Sequence, residues 1–195
     1  MRCLLAFVLV AVLSLAALMG FVYSGWADIS ATGTESAPVR WLLETTRGHA
    51  VAQQASEIRV PDLSAPALAA SGAAAFDQMC AGCHGAPGRK PMLGAGYMNP
   101  PPPDLADVAG QRTAAELFWV IKHGIRMTGM PAWGPTHSDD QLWALVALVQ
   151  RLPDLSEEAF RQLVKQGGDE DHEHQHAHGA SADAPAAHGH DHNGH

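Results

Sequence analysis

The feature that most constrains this chain is the segment Cys80-Ala81-Gly82-Cys83-His84. Two cysteines separated by two residues and followed directly by a histidine are typical of covalent attachment of a c-type haem. This spacing sets the thiols about one helical turn apart, which suits the separation of the two haem vinyl groups. The histidine can then reach the iron from one face of the ring. The segment therefore predicts a haem site on a short helical turn.

Two other kinds of site also use a cysteine pair at this spacing. A zinc site needs a second cysteine pair or a histidine pair at ligand spacing, and the globular part of the chain has neither. A thioredoxin-like redox pair lies in a strand–helix–strand pattern, and none surrounds Cys80 and Cys83. Haem attachment is favoured over both because a second iron ligand is available downstream.

That second ligand is predicted to be Met130, which lies 46 residues after His84. Gly129 permits close approach of the backbone, and Pro131 stiffens the turn that must present sulfur to iron. Trp133 would form part of the wall of the haem site. Rival ligands are open at this point, namely Met92, Met98, His123, Met127 and His137.

Together these motifs resemble class I cytochromes c, and most closely their single-haem, membrane-anchored bacterial branch. Residues 76–85 and 125–133 carry the resemblance, which extends over about residues 60–165. It implies an all-α class I cytochrome c fold around one covalent haem c. It also implies an electron carrier and not an enzyme, because both axial positions of the iron are filled.

The resemblance assigns roles to matching residues. The cofactor-binding set is Cys80, Cys83, His84 and Met130, of which His84 and Met130 are the axial ligands of the iron. In the family a proline carbonyl accepts a hydrogen bond from the ring N–H of the axial histidine, which fixes its tautomer. The run Pro100–Pro103 offers four candidates for this acceptor. A glycine, here Gly72, lets the first helix cross the last one closely, and Phe76 packs at the crossing.

Helices and loops are predicted over the whole haem region, with no strand pattern. The expected helices run from Pro66 to Met79, from the capping box Thr113–Glu116 to His123, from the capping box Ser138–Gln141 to a point before Pro153, and from Ser156 to about Lys165. Residues 85–112 are rich in glycine and proline and are predicted to have no regular structure.

An uncharged apolar run from Cys3 to Ala27 follows Arg2 at the N-terminus. It exceeds the roughly 18 apolar residues that indicate a bilayer span. The alternative is a cleaved signal peptide, whose apolar region would be only about 7–15 residues long. Tyr23 and Trp26 suit the membrane–water interface. We therefore expect an uncleaved anchor with a cytoplasmic N-terminus.

The anchor, residues 1–27, is joined to the cytochrome c domain, residues 60–166, by a linker of residues 28–59. Residues 28–36 are small and polar and suggest a flexible exit from the membrane. Residues 38–58 have a moderate amphipathic helix pattern. Its simplest interpretation is a juxtamembrane spacer helix, and contact of the Trp41 helix with the haem edge or a partner is the alternative.

Residues 167–195 form a low-complexity tail with six acidic residues and no basic one. Its low apolar content predicts disorder. Eight of the 12 histidines of the chain lie in it, at His172, His174, His176, His178, His188, His190, His192 and His195. Imidazoles alternating with carboxylates suit copper, zinc or nickel. The alternative is a solvating tail with no metal role.

The formal charge of −8 comes largely from this tail, so the chain has no basic patch for nucleic acid. The predicted function is transfer of single electrons between redox partner proteins in the respiratory chain or another oxidoreductase system. The resemblance implies a single-pass protein of the bacterial inner membrane with its haem domain in the periplasm. Two alternatives are a cytochrome subunit of an oxidoreductase complex, and a metal-handling or sensing cytochrome that uses its tail.

Overall fold

The computed structural model of the protein describes residues 1–33, 35–93 and 96–179, with side chains as far as residue 168. Within these ranges the chain is all-α, as predicted, and contains no β-strand. The helices are α1 (Arg2–Ser24), α2 (Ala37–Ala55), α3 (Pro66–Met79), α4 (Ala81–His84), α5 (Leu105–Ala109), α6 (Ala114–His123), α7 (Asp139–Val149) and α8 (Glu157–Gly179), with a 3₁₀ turn at Leu152–Asp154.

Helix α1 stands apart from the packed helices, and none of its residues is buried. In the described part of the chain it is the one helix that is long and apolar enough to cross a membrane. Its 23 residues extend about 35 Å at 1.5 Å per residue. That length exceeds the roughly 30 Å hydrocarbon core of a bilayer. The helix ends at Gly25, which has a left-handed φ of 71°.

The core lies where α3 packs against both α7 and α8. The crossing with α7 depends on Gly72, because an added Cβ there would lie 2.9 Å from the backbone nitrogen of Leu145 and closer still to the carbonyl of Ala144. Phe76 is fully buried one turn later and meets Phe160 of α8 edge-on, with ring centroids 5.9 Å apart. A close crossing at Gly72 is therefore present, but its partner is α7 and not the last helix, as was predicted, and α8 contacts α3 through Phe160.

The capping boxes that were predicted at the N-termini of α6 and α7 are both formed. Thr113 Oγ1 accepts from the backbone N–H of Glu116, whose carboxylate accepts from the N–H of Thr113. Ser138 and Gln141 make the same reciprocal pair at α7. Both helices thus begin at the predicted residues, since the capping side chains satisfy backbone N–H groups that have no partner within the helix.

Two predictions about regular structure are wrong. Residues 85–112 were expected to be irregular, but they contain α5, which Asp104 caps by accepting from Ala106 N at 2.8 Å. At five residues, this helix is too short to show a periodic pattern. The last helix, α8, was expected to end near Lys165 but continues to Gly179.

One packing contact supports α8 just beyond its predicted end. Gly167 is buried, and an added Cβ there would overlap the carbonyl oxygen of Ala70 on α3. The backbone of α8 therefore rests on α3 beyond the predicted end, and this support favours continuation of the helix. Residues 180–195, the remainder of the tail that is predicted to be disordered, lie outside the described residues.

Helix α2 is more than a spacer, because it packs against α6. Val51 and Ala55, in its second half, are 6% and 3% exposed. The segment after it, residues 58–65, has no regular structure, and Ile58 and Leu63 pack against the core from there. The second half of α2 thus forms part of the same packed unit as the haem-binding region.

Candidate functional site

The two predicted haem-binding cysteines lie at the start of α4, the short helix that follows α3. Cys80 precedes the helix, and its carbonyl oxygen accepts from the N–H of Cys83 at 3.1 Å and from the N–H of His84 at 2.9 Å. Both cysteines are free and half-buried. Their thiols are therefore presented from one helical turn, as the motif predicts.

The chemistry of Cys80 argues against the redox-pair alternative. Burial, and secondly the neighbouring Cys83, raise the pKa of the Cys80 thiol to about 12. A redox-active cysteine of the thioredoxin type has instead a pKa lowered to about 3.5–7.5. The structure also contains no strand–helix–strand unit in the part of the chain it describes. Both observations speak against a pair that works by disulfide exchange.

The ring of His84 is held by one of the four candidate prolines. Its Nδ1 atom lies 2.8 Å from the carbonyl oxygen of Pro103. Since a carbonyl oxygen can only accept, Nδ1 carries the proton and Nε2 keeps a free lone pair. The sequence left the identity of this proline open, and the structure selects Pro103.

The segment with the predicted second ligand forms a closed turn after α6. The hydroxyl of Thr128 donates to the carbonyl of Ile125 at 2.7 Å and accepts from the N–H of Met130 at 3.1 Å. The carbonyl of Met130 accepts in turn from the N–H of Ile125 at 3.2 Å. The backbone on both sides of the Met130 thioether is therefore fixed by hydrogen bonds, and the side chain is half-buried.

Two glycines make this turn possible. Gly124 ends α6 with a φ of 66°, and an added Cβ would lie 2.7 Å from the carbonyl oxygen of Met130. Gly129 faces the side chain of Met98, and an added Cβ would lie 2.5 Å from its sulfur. From the sequence, Gly124 is expected only to end the helix after His123, and no role was predicted for Thr128. The Thr-Gly pair before Met130 was the available signal for a side-chain-capped turn.

The rival ligands differ from Met130 in their exposure and in their neighbours. Met127 lies at the tip of the turn with a φ of 61° and is 91% exposed. Met92 is also exposed, at 75%. His123 is exposed and lies beside Trp119, with ring centroids 5.0 Å apart. His137 is half-buried, and its Nδ1 atom lies 2.9 Å from the hydroxyl of Thr136.

Met98 belongs to a loop that links the two halves of the site. Its sulfur faces Gly129 beside Met130, while Pro103 of the same loop bonds to the His84 ring. Five residues can span at most about 17 Å. The turn that carries Met130 and the His84 ring therefore lie at opposite ends of one short segment, and both residues would be available to hold one haem.

The donors present fit a c-type haem. They comprise two free thiols on one turn, an imidazole with a fixed tautomer and a half-buried thioether, which is the set used by His/Met cytochromes c. Among the described side chains no group of three or more His, Cys, Asp and Glu residues could hold a separate metal ion. The tail histidines lie beyond the described side chains, and His188, His190, His192 and His195 lie outside the described residues altogether.

A comparison with protein families agrees with this geometry. Residues 67–149 match the family described as cytochrome c oxidase, cbb3-type, subunit III. The match spans the cysteine pair, the proline-rich loop, both capped helices and Met130. Residues 67–149 therefore form a class I c-type cytochrome domain, which binds haem and transfers electrons. A search of curated proteins and a search of solved structures each found no match.

Proposed function

We propose that this protein is a membrane-anchored periplasmic cytochrome that carries single electrons between redox partner proteins. One haem c would be bound through Cys80 and Cys83, with His84 and Met130 as axial ligands. Helix α1 would remain uncleaved, so that the protein stays in the inner membrane with the haem domain on its outer face. When bound, the haem supplies a one-electron iron couple, and a thioether ligand raises its potential.

The observation that carries this proposal is the bond from His84 Nδ1 to the Pro103 carbonyl. It leaves Nε2 as the one ring atom of His84 able to coordinate, directly after two thiols that share a helical turn. A histidine held by such an outer bond is a stronger and better oriented ligand. The hydrogen-bonded turn at Met130 supports the same arrangement on the other side.

Carbon monoxide tests whether both axial positions are filled. The full-length ferrous protein should keep its visible spectrum when CO is added, and a redox titration should follow a one-electron curve. The Met130→Ala variant is the matched control, since loss of the thioether should open the iron to CO. Rapid CO binding by the unaltered protein would instead indicate an open iron position and a catalytic or sensing role.

A role as a subunit of an oxidoreductase complex is the second candidate. It is favoured by the description of the matching family, which names an oxidase subunit. Purification from source membranes in mild detergent separates the two candidates. A carrier should elute alone, whereas a subunit should retain its complex.

We also propose that the tail binds divalent copper, zinc or nickel without touching the haem. A protein that ends at Gly168 keeps the packed Gly167 but lacks all eight tail histidines, so it should lose binding to nickel resin and retain its visible spectrum and potential. Replacing the eight histidines by asparagine should have the same effect at full length. If these variants still bind nickel resin, the binding residue is His49, His84, His123 or His137. A shifted visible spectrum would mean that a tail histidine reaches the haem.

A further inference from the structure

We propose that the first two turns of α2 lie in the membrane–water interface, so that the haem domain is held to the lipid surface at a second point. The inference rests on the proposed insertion of α1 in the membrane. It concerns the segment of residues 36–44, which we call the interfacial turn. No partner of this segment is present in the described part of the chain.

The interfacial turn differs sharply from the rest of its helix. Every residue from Ser36 to Glu44 is exposed. Four large apolar side chains are among them, with exposed fractions of 48% for Val39, 66% for Trp41, 56% for Leu42 and 55% for Leu43. The second half of α2 buries Val51 and Ala55 against α6 instead. The domain therefore holds α2 by its C-terminal half and extends the apolar half outward.

The distribution of these side chains favours lipid over a protein groove. Successive residues of a helix are turned by about 100°, so three consecutive apolar residues, Trp41 to Leu43, point to different sides of the axis. A helix that docks in a groove has one apolar stripe. Together with Val39, these three residues cover about 200° of the helix surface, and Arg40 and Glu44 lie on the remaining side. So broad an apolar face with a charged face opposite suits the interfacial layer of a membrane.

The path of the chain keeps the interfacial turn near the anchor. Twelve residues separate the end of α1 from the start of α2. Local bonds shorten this path, since Ser24 Oγ accepts from Trp26 N at 3.1 Å and Asp28 Oδ1 accepts from Ser30 N at 2.9 Å. The carbonyl of Ser30 also accepts from Gly33 N at 3.2 Å. The connection is therefore shorter than its fully extended length, which keeps the start of α2 within reach of the membrane exit.

A bond to the haem domain confines the path further. Asn99 Nδ2 donates to the carbonyl of Gly33 at 3.2 Å. Asn99 follows Met98, whose side chain contacts the turn of Met130. Contact of α2 with lipid would thus also fix the orientation of the Met130 side of the domain relative to the membrane.

Aromatic character suits a lipid surface, and the two charges of the interfacial turn, Arg40 and Glu44, cancel. Arg40 and Arg47 make no ion pair among the described side chains. Basic side chains next to a membrane can contact anionic lipid headgroups. Tryptophan is the residue type that prefers the interface, because its ring is apolar and its N–H polar. Trp41 therefore lies where a membrane contact would place it.

Spin labels on the full-length haem protein in nanodiscs of phosphatidylethanolamine and phosphatidylglycerol test the inference. In a Cys3→Ser background, single labels are placed at Leu42→Cys in the interfacial turn, at Gln53→Cys on the same helix, and at Leu13→Cys in the anchor. The ratio of collision with oxygen to collision with a water-soluble nickel complex reports depth. We expect the ratio at Leu42 to be several-fold higher than at Gln53 and lower than at Leu13.

Each other outcome overturns a distinct statement. Equal ratios at Leu42 and Gln53 would mean that the interfacial turn lies in water, and the inference would fail while the anchor stands. A low ratio at Leu13 would show that α1 is not in the bilayer, which contradicts the proposed anchoring itself. A label at Leu42 that is shielded from both reagents would mean that protein and not lipid covers the turn.

Discussion

Replacing Cys80 and Cys83 together by alanine should give a protein from which acid acetone removes all haem. The unaltered protein should keep its haem under the same treatment, because each thiol adds across a vinyl group and the resulting carbon–sulfur bond is stable to acid. The measurement is the absorption of the haem in the extracted and protein fractions. The expected change is from full retention to none.

The remaining cysteine supplies the control. Cys3 is exposed on α1, far along the chain from α4, and Cys3→Ala should leave the haem bound. Each single variant, Cys80→Ala or Cys83→Ala, should keep one of the two links. Haem that stays covalently bound in the double variant would show that the cysteine pair has been assigned wrongly.

The variant Met130→Ala should lose the weak sulfur-to-iron absorption at the red end of the oxidised spectrum and should have a lower reduction potential. The reason is that a thioether ligand favours ferrous iron, and its loss removes that preference. The two measurements are the oxidised visible spectrum and a redox titration. We expect the absorption band to disappear completely, because each haem has one such ligand.

Met127→Ala is the matched control, since it removes the same side chain three residues away. Met127 is 91% exposed at the tip of the turn, so its loss should change neither the band nor the potential. Met98→Leu is a second control that keeps an apolar contact with Gly129. If Met127→Ala removes the band and Met130→Ala does not, Met127 is the ligand. Absence of the band from the unaltered protein would indicate ligation by two histidines, and a band that persists in all three variants would indicate Met92.

Much of the local structure could be predicted because its causes lie within a few residues. The helix from Pro66 to Met79 and the boxes at Thr113 and Ser138 depend on contacts three or four residues apart, which a sequence displays directly. The all-α fold followed from these patterns and from the haem motif. Short α5 escaped prediction because five residues contain too little pattern.

Two helices were predicted only in part, because they pack against residues from distant parts of the chain. Helix α8 continues past Lys165 where Gly167 rests on Ala70, almost 100 residues earlier in the chain. Helix α2 appeared to be a spacer because its pattern is only moderately amphipathic, yet Val51 and Ala55 pack against α6. The local sequence does not identify the partner helix in either contact.

The sequence by itself determined the kind of cofactor site, because the two thiols and the histidine lie within one pentapeptide. Such a motif can be recognised without knowledge of the fold. The sequence also set α1, a helix that is long and apolar enough to cross a membrane, because length and composition are local properties. Only the tertiary structure decided among chemically equal candidates. Among the four prolines, only Pro103 places its carbonyl oxygen at the His84 ring. Of the two methionines Met98 and Met127, Met98 packs against Gly129 beside Met130, whereas Met127 is exposed. Such choices depend on contacts between segments that are far apart in the chain, and these contacts exist only once the helices have packed.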